Sequence, residues 1–105
     1  PNGVTDMSRC FASCTSLTQA PVIPSSVTDM RGCFRDCENI TAVTLKCNYG
    51  WDRFDAAFVR CTKLTAGSIK VPNDFYPNYT SDATIKKMFG DYCDVEEANK
   101  KIATY

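Results

Sequence analysis

Apolar residues recur early in the chain at a fixed spacing: Met7, Cys10, Phe11 and Cys14, then Met30, Cys33, Phe34 and Cys37. The same places are held 24 positions later by Phe54, Ala57, Phe58 and Cys61, and after a longer gap by Ile85, Met88, Phe89 and Tyr92. Offsets of i, i+3, i+4 and i+7 trace one face of an α-helix, with Ser8, Arg9, Arg31, Arg35, Asp36, Asp55, Arg60, Lys86 and Lys87 on the other faces. The spacing predicts a short amphipathic helix at the start of each unit. About two to three turns cannot persist alone, so packing must hold each one. Thr5 or Asp6, Thr28 or Asp29, and Ser81 or Asp82 stand where a side-chain oxygen can cap the first turn.

After each predicted helix comes a turn with an apolar anchor, "CTSL", "CENI" or "CTKL", and then an alternating stretch. In "AVTLKC" the apolar places are Val43, Leu45 and Cys47; in "GSIKV" they are Ile69 and Val71, with Thr44, Lys46, Ser68 and Lys70 between them. Period two predicts a strand with one buried face. In "APVIP" of the first unit, Ala20 and Val22 align with Val43 and Leu45, while Pro21 and Pro24 suit an edge strand because they cannot donate to a ladder.

A helix and a strand every 23 or 24 residues predict an α/β solenoid. Right-handed crossovers would give a parallel sheet on one side and helices on the other. Three units span about 4–26, 27–50 and 51–72. The segment "VPNDFYPNYTSD" breaks the period and reads as a loop at 73–81. Residues 82–105 read as a helical C-terminal cap built on Ile85, Met88, Phe89, Tyr92, Val95, Ala98 and Ile102.

The stretch "VTDMSRCFASCTSLTQAPVIPSSVTDM" resembles the leucine-rich repeats of BspA type, whose units read roughly V-T-x-M-x-x-x-F-x-x-C-x-x-L-T before an "xxIP" strand. The likeness covers about residues 1–72; Trp51 and Phe54 depart from it, and residues 73–105 match only as a generic cap. It implies a leucine-rich-repeat-like right-handed superhelix on bacterial surface proteins, often with adhesive roles and without an active site.

Composition narrows the function. A chain of 105 residues is the size of one domain. Its 12 basic and 12 acidic side chains cancel, four against four through Asn48 and eight against eight beyond it. This balance offers no footprint for nucleic acid or an anionic membrane. No apolar run approaches the roughly 20 residues needed for membrane insertion, and no leader pattern precedes Met7. Histidine is absent, which removes the commonest general base and mixed Cys/His zinc sites.

Seven cysteines are the conspicuous reactive groups. Cys10, Cys14, Cys33 and Cys37 form two i,i+4 pairs that suit a four-thiolate metal site. Their places are taken by Ala57, Met88, Cys61 and Tyr92 in sister units, however, which points to packing. Disulfides between equivalent cysteines are disfavoured, because packed helix axes lie about 8–10 Å apart and bridged Cα atoms about 4.4–6.8 Å. Cys47 and Cys93 lie off the ladder, and a bridge between them stays open. An odd count leaves at least one thiol without a partner in the chain.

The strand face turned away from the core is the candidate ligand surface: Gln19, Ile23, Thr44, Lys46, Ser68 and Lys70. A solvated face explains any one of these equally well. Tyr49, Trp51, Phe75, Tyr76 and Tyr79 either form an aromatic platform for a sugar or peptide or cover the end of the core. Asn39 and Asn78 fit the glycosylation sequon, the first by chance if Ile40 is a core anchor. Asp91, Asp94, Glu96 and Glu97 are explained by i,i+4 ion pairs of Glu96 with Lys100 and Glu97 with Lys101, so no catalytic constellation emerges.

The expected function is therefore a non-enzymatic binding or adhesion module without a cofactor. It would take a protein or glycan ligand as part of a larger cell-surface or secreted protein. The alternative is a structural repeat segment that spaces or assembles a larger surface or virion protein; a thiol-based metal or redox protein comes third. Pro1-Asn2-Gly3-Val4 aligns with Pro24-Ser25-Ser26-Val27, so the first unit lacks a visible cap. Further repeats or another subunit are expected at that end.

Overall fold

The computed structural model describes residues 4–50 and 52–105. The segments at 8–13, 31–36 and 55–60, where the spacing predicts helices, are instead runs of tight turns. Their local hydrogen bonds all join i to i+3. Cys10 N–H donates to Met7 C=O at 3.1 Å, Ala12 to Arg9 at 3.2 Å and Cys14 to Phe11 at 3.1 Å, and Cys33, Arg35 and Cys37 repeat the pattern on Met30, Gly32 and Phe34. Every fourth residue has positive φ: Arg9 and Ser13, then Gly32 and Asp36, then Ala56 and Arg60, all between 56° and 63°. Positive φ at the third residue is what a type II turn requires. Each unit thus opens with a turn ribbon rather than a helix.

The ribbon is stabilised by its neighbours. N–H groups that an α-helix would direct at its own preceding turn point to the next unit instead: Met7 to Asp29 C=O, Arg9 to Arg31 and Phe11 to Cys33, each 2.8 Å. Met30, Gly32, Phe34 and Asp36 donate in turn to Arg53, Asp55, Ala57 and Val59, at 2.6–2.9 Å. These inter-unit bonds replace the i→i−4 ladder of a helix, which would be too short to stand alone. The acidic caps act accordingly. Asp6 Oδ1 accepts from Ser8 N–H at 2.9 Å and Asp29 Oδ1 from Arg31 N–H at 3.2 Å, two residues on, as in an Asx turn.

On the other side lies a parallel sheet of β1 (Val43–Thr44), β2 (Ile69–Val71) and β3 (Ile102–Thr104), in the order β1-β2-β3. Val43 pairs with Ile69 and Ile69 with Ile102; all three are buried. The first unit joins through bridges of Gln19 to Ala42 and Ile23 to Leu45. From Gln19 to Ile23 is four residues where Ala42 to Leu45 is three, so the first strand carries one extra residue. This bulge, beside Pro21, shifts the register. Ile23 is buried and Val22 is turned out, 54% exposed, which reverses the expected alignment of Val22 with Leu45.

The segment 73–81, expected as a loop, contains a 3-10 turn (Asn73–Phe75) and α1 (Tyr76–Tyr79), with Pro77 in the first turn of the helix, where a proline is tolerated. In the segment read as the cap, α2 (Asp82–Phe89) is capped by Ser81, whose side chain accepts from Thr84 N–H, and α3 (Val95–Lys100) by Asp94. The segment ends in β3, which the helical reading did not include. Tyr92, expected in its core, is fully exposed. The third ribbon docks on α2, with Ala56 and Phe58 N–H donating to the Lys87 and Met88 carbonyls at 2.7 and 2.9 Å.

Between ribbons and sheet lies one core. Its spine is a column of rings, Phe11, Phe34, Phe58 and Phe89, with successive centroids 5.3, 5.8 and 5.6 Å apart. At one end Tyr49, Phe54 and Tyr79 pack against each other at 5.0–5.8 Å.

Candidate binding surface

Alternation along each strand places every second residue outside. Thr44 lies opposite Lys70, and Lys70 opposite Ala103, so these three form one outward row; Gln19 lies opposite Ala42. Lys46 and Gln19 are exposed, while Thr44, Ser68 and Lys70 are half-buried. Ser68 serves its own turn, its Oγ accepting from Thr65 N–H at 2.8 Å. The expected surface is thus brought together at Gln19, Thr44, Lys46 and Lys70, with Ser68 at its edge. Ile23 does not belong to it, because the bulge turns that side chain into the core.

Tyr105, which the sequence reading passed over, joins this surface. In the ladder Lys46 N–H donates to Ile23 C=O; by the same pattern residue 72 would donate to Leu45 C=O, but residue 72 is proline. The Tyr105 hydroxyl makes that bond instead, at 2.7 Å, and the residue stays 61% exposed. A tyrosine two residues past the outward Ala103, and a proline directly after β2, were the signals available.

Charge is segregated although the total is zero. Residues 39–51, 56–73 and 98–105, which contain the three strands, hold Lys46, Arg60, Lys63, Lys70, Lys100 and Lys101 but no Asp or Glu. Several charges are paired, including two from these segments, Arg60 and Lys100. Asp29 pairs with Arg31 at 2.6 Å and Arg53 at 3.6 Å, Asp36 with Arg60 at 3.3 Å, and Lys87 with Asp52 at 2.8 Å. The hydrogen-bonding Arg31 guanidinium holds the Asp29 carboxyl below its ordinary range. Among the described residues Lys46 and Lys70 make no ion pair.

Among the described residues the expected aromatic platform is not assembled. Tyr79 is fully buried, its hydroxyl donating to Cys47 C=O at 2.7 Å, and desolvation raises its pKa. Tyr49 and Tyr76 are half-buried against the core, and Trp51 lies outside the described residues. In the cap, Glu97 pairs with Lys100 at 3.2 Å rather than with Lys101, whose ammonium sits 5.7 Å from the centroid of the Phe89 ring.

The cysteines are all free; Cys33, Cys37, Cys47 and Cys61 are buried in the core, Cys14 and Cys93 pack partly against it, and Cys10 is exposed. Cys37 S–H donates to Phe11 C=O at 2.9 Å and Cys61 S–H to Phe34 C=O at 3.0 Å, so the column laces one ribbon to the next. Burial pushes the Cys33 and Cys61 thiols up to about 12, far from the thiolate that metal binding or redox chemistry needs. Cys47 contacts the Tyr79 hydroxyl and Cys93 faces Ile85 C=O, so the possible bridge between them is not formed. Among the described residues no cluster is placed to hold a metal ion, and no helix is long and apolar enough to cross a membrane.

Comparison with family models, curated proteins and solved structures finds no match in any of the three.

Proposed function

We propose that this protein is a non-enzymatic binding module, a short solenoid of leucine-rich-repeat type whose contact surface is the outward face of the parallel sheet. The observation that carries the reading is the contrast between faces. On the ribbon side Asp29, Asp36, Asp52 and Asp55 are each paired with a basic side chain, whereas among the described residues Lys46 and Lys70 on the sheet make no ion pair. Rigid parallel rungs present them, with Gln19, Thr44 and Tyr105, as a fixed array that loses little entropy on binding. An uncompensated cationic array fits an anionic ligand, and electrostatic complementarity sets both its encounter rate and its specificity. The setting that the BspA-type resemblance implies is a bacterial cell surface, with a protein or glycan as ligand.

The test uses immobilised heparin as a polyanionic probe at low salt. Lys46→Glu with Lys70→Glu is expected to remove retention while leaving the melting temperature almost unchanged. Lys63→Glu with Lys86→Glu, the same charge change in the turn before β2 and on α2, is expected to keep most of it. Equal loss from both pairs, or no loss from the first, removes the sheet face from consideration.

A further inference from the structure

We infer that the free face of the first unit is an acceptor edge that receives one more turn ribbon of this same pattern, stacked ahead of Val4. The inference does not depend on the sheet-face reading; it rests on the backbone and on what covers each unit.

Equivalent residues of the first two units differ only in their neighbours. Met30, Cys33, Phe34 and Cys37 are each 0% exposed, covered on one side by the first ribbon. Their counterparts Met7, Phe11 and Cys14 are only partly buried, and Cys10 is exposed. The first unit therefore presents to solvent the surface that the second unit buries. Phe11 ends the column of stacked rings: it is partly buried, and among the described residues no second ring stacks on it, whereas Phe34 and Phe58 each have a ring on both sides.

Backbone polarity then selects the occupant. The carbonyls of Asp29, Arg31, Cys33 and Arg35 accept from the N–H groups of Met7, Arg9, Phe11 and Ser13. The equivalent carbonyls of Asp6, Ser8, Cys10 and Ala12 accept from no described residue. They make a row of acceptors, one at every second residue, beside an apolar strip. A row of this kind cannot pair with itself, so two copies do not fit face to face. Nor does the opposite end of a second copy supply the donors, because Ala56 and Phe58 already donate to the Lys87 and Met88 carbonyls of α2. What fits is a ribbon with N–H groups free at alternate residues and Met, Phe and Cys at offsets of 0, 4 and 7, which is the pattern of residues 27–37.

The test inserts a second copy of residues 27–49 ahead of Val4 in the full chain and follows iodoacetamide labelling of each cysteine by peptide mass mapping. In the parent chain Cys10 is expected to label fastest and Cys33 only on unfolding. With the inserted unit, Cys10 labelling is expected to slow at least tenfold, toward the rate of Cys33, while Cys93 keeps its parent rate. A scrambled insert of the same composition is expected to leave Cys10 as reactive as in the parent. Unchanged Cys10 labelling with the ordered insert overturns the inference, and so does equal protection by the scrambled one.

Discussion

Ala56 and Gly32 occupy equivalent places in neighbouring ribbons, at φ 58° and 60°. Exchanging their side chains separates a turn ribbon from a helix by sign. In a helix, Ala56→Gly would cost about 1 kcal/mol and Gly32→Ala would gain about as much. In the ribbon the balance reverses. A side chain held in the left-handed region costs about 1–2 kcal/mol, which glycine relieves at about 0.5–1 kcal/mol of added unfolded-state entropy. Ala56→Gly is therefore expected to stabilise by about 0.5–1 kcal/mol. Gly32→Ala is expected to destabilise by about the same amount. The new Cβ at Gly32 would lie 3.3 Å from Arg9 Cγ, a flexible neighbour that gives way cheaply. Urea unfolding followed by circular dichroism reads both variants, with the slope m unchanged so that the midpoint alone reports stability. A destabilised Ala56→Gly together with a stabilised Gly32→Ala would refute the turn ribbon.

Phe34, 0% exposed and stacked between Phe11 and Phe58, is expected to cost about 3–5 kcal/mol on change to Ala, measured by urea midpoint. Phe11→Ala, at the half-covered end of the column, should cost clearly less; equal costs would contradict the open face. Because Cys33 and Cys61 keep their protons to about 12 when folded while the unfolded thiol releases its proton near 9.0, the unfolded chain binds fewer protons in that window. Stability should then fall as pH rises from about 9 to about 12, and Cys33→Ala should flatten the fall; a midpoint that holds or rises there contradicts the burial. Tyr105→Phe removes the Leu45 carbonyl's one donor among the described residues and should cost about 1 kcal/mol, whereas Tyr79→Phe should cost about 1–3 kcal/mol because the Cys47 carbonyl it leaves is buried. Thermal melts check both, and a Tyr79→Phe chain as stable as the parent would show that the carbonyl finds another donor.

Repetition made the inward places of the second and third units legible: Met30, Phe34, Ile40, Phe58, Leu64 and Ile69 all lie in the core. It did not reveal the backbone that puts them there. Over eight residues a period of four, with one left-handed residue in each turn, gives the same apolar offsets as a helical period of 3.6. Only Gly32 and Asp36 hinted at positive φ, while Arg9 and Ala56 adopt it with their N–H groups bonded to the Arg31 and Lys87 carbonyls of the neighbouring elements. At the candidate surface Thr44, Lys46 and Lys70 were legible from strict alternation. Ile23 was not, since a single extra residue beside Pro21 turns a whole strand end over. Tyr79 could be read as part of a ligand platform or as cover for the core; it is buried and answers a carbonyl 32 residues away. Such a pairing is set by tertiary packing and leaves no local mark in the sequence.

What distinguishes this architecture is that each ribbon bonds across to its neighbour rather than within itself. Scalar couplings transmitted through hydrogen bonds, read by NMR on the isotopically labelled chain, report the acceptor of each amide one by one. Phe34 N–H should correlate with the carbonyl carbon of Ala57, whose oxygen lies 2.9 Å from its nitrogen, and Gly32 N–H with that of Asp55 at 2.8 Å. A correlation from Phe34 N–H to the Met30 carbonyl would mean that the unit closes on itself as a helix, and the ribbon would be contradicted.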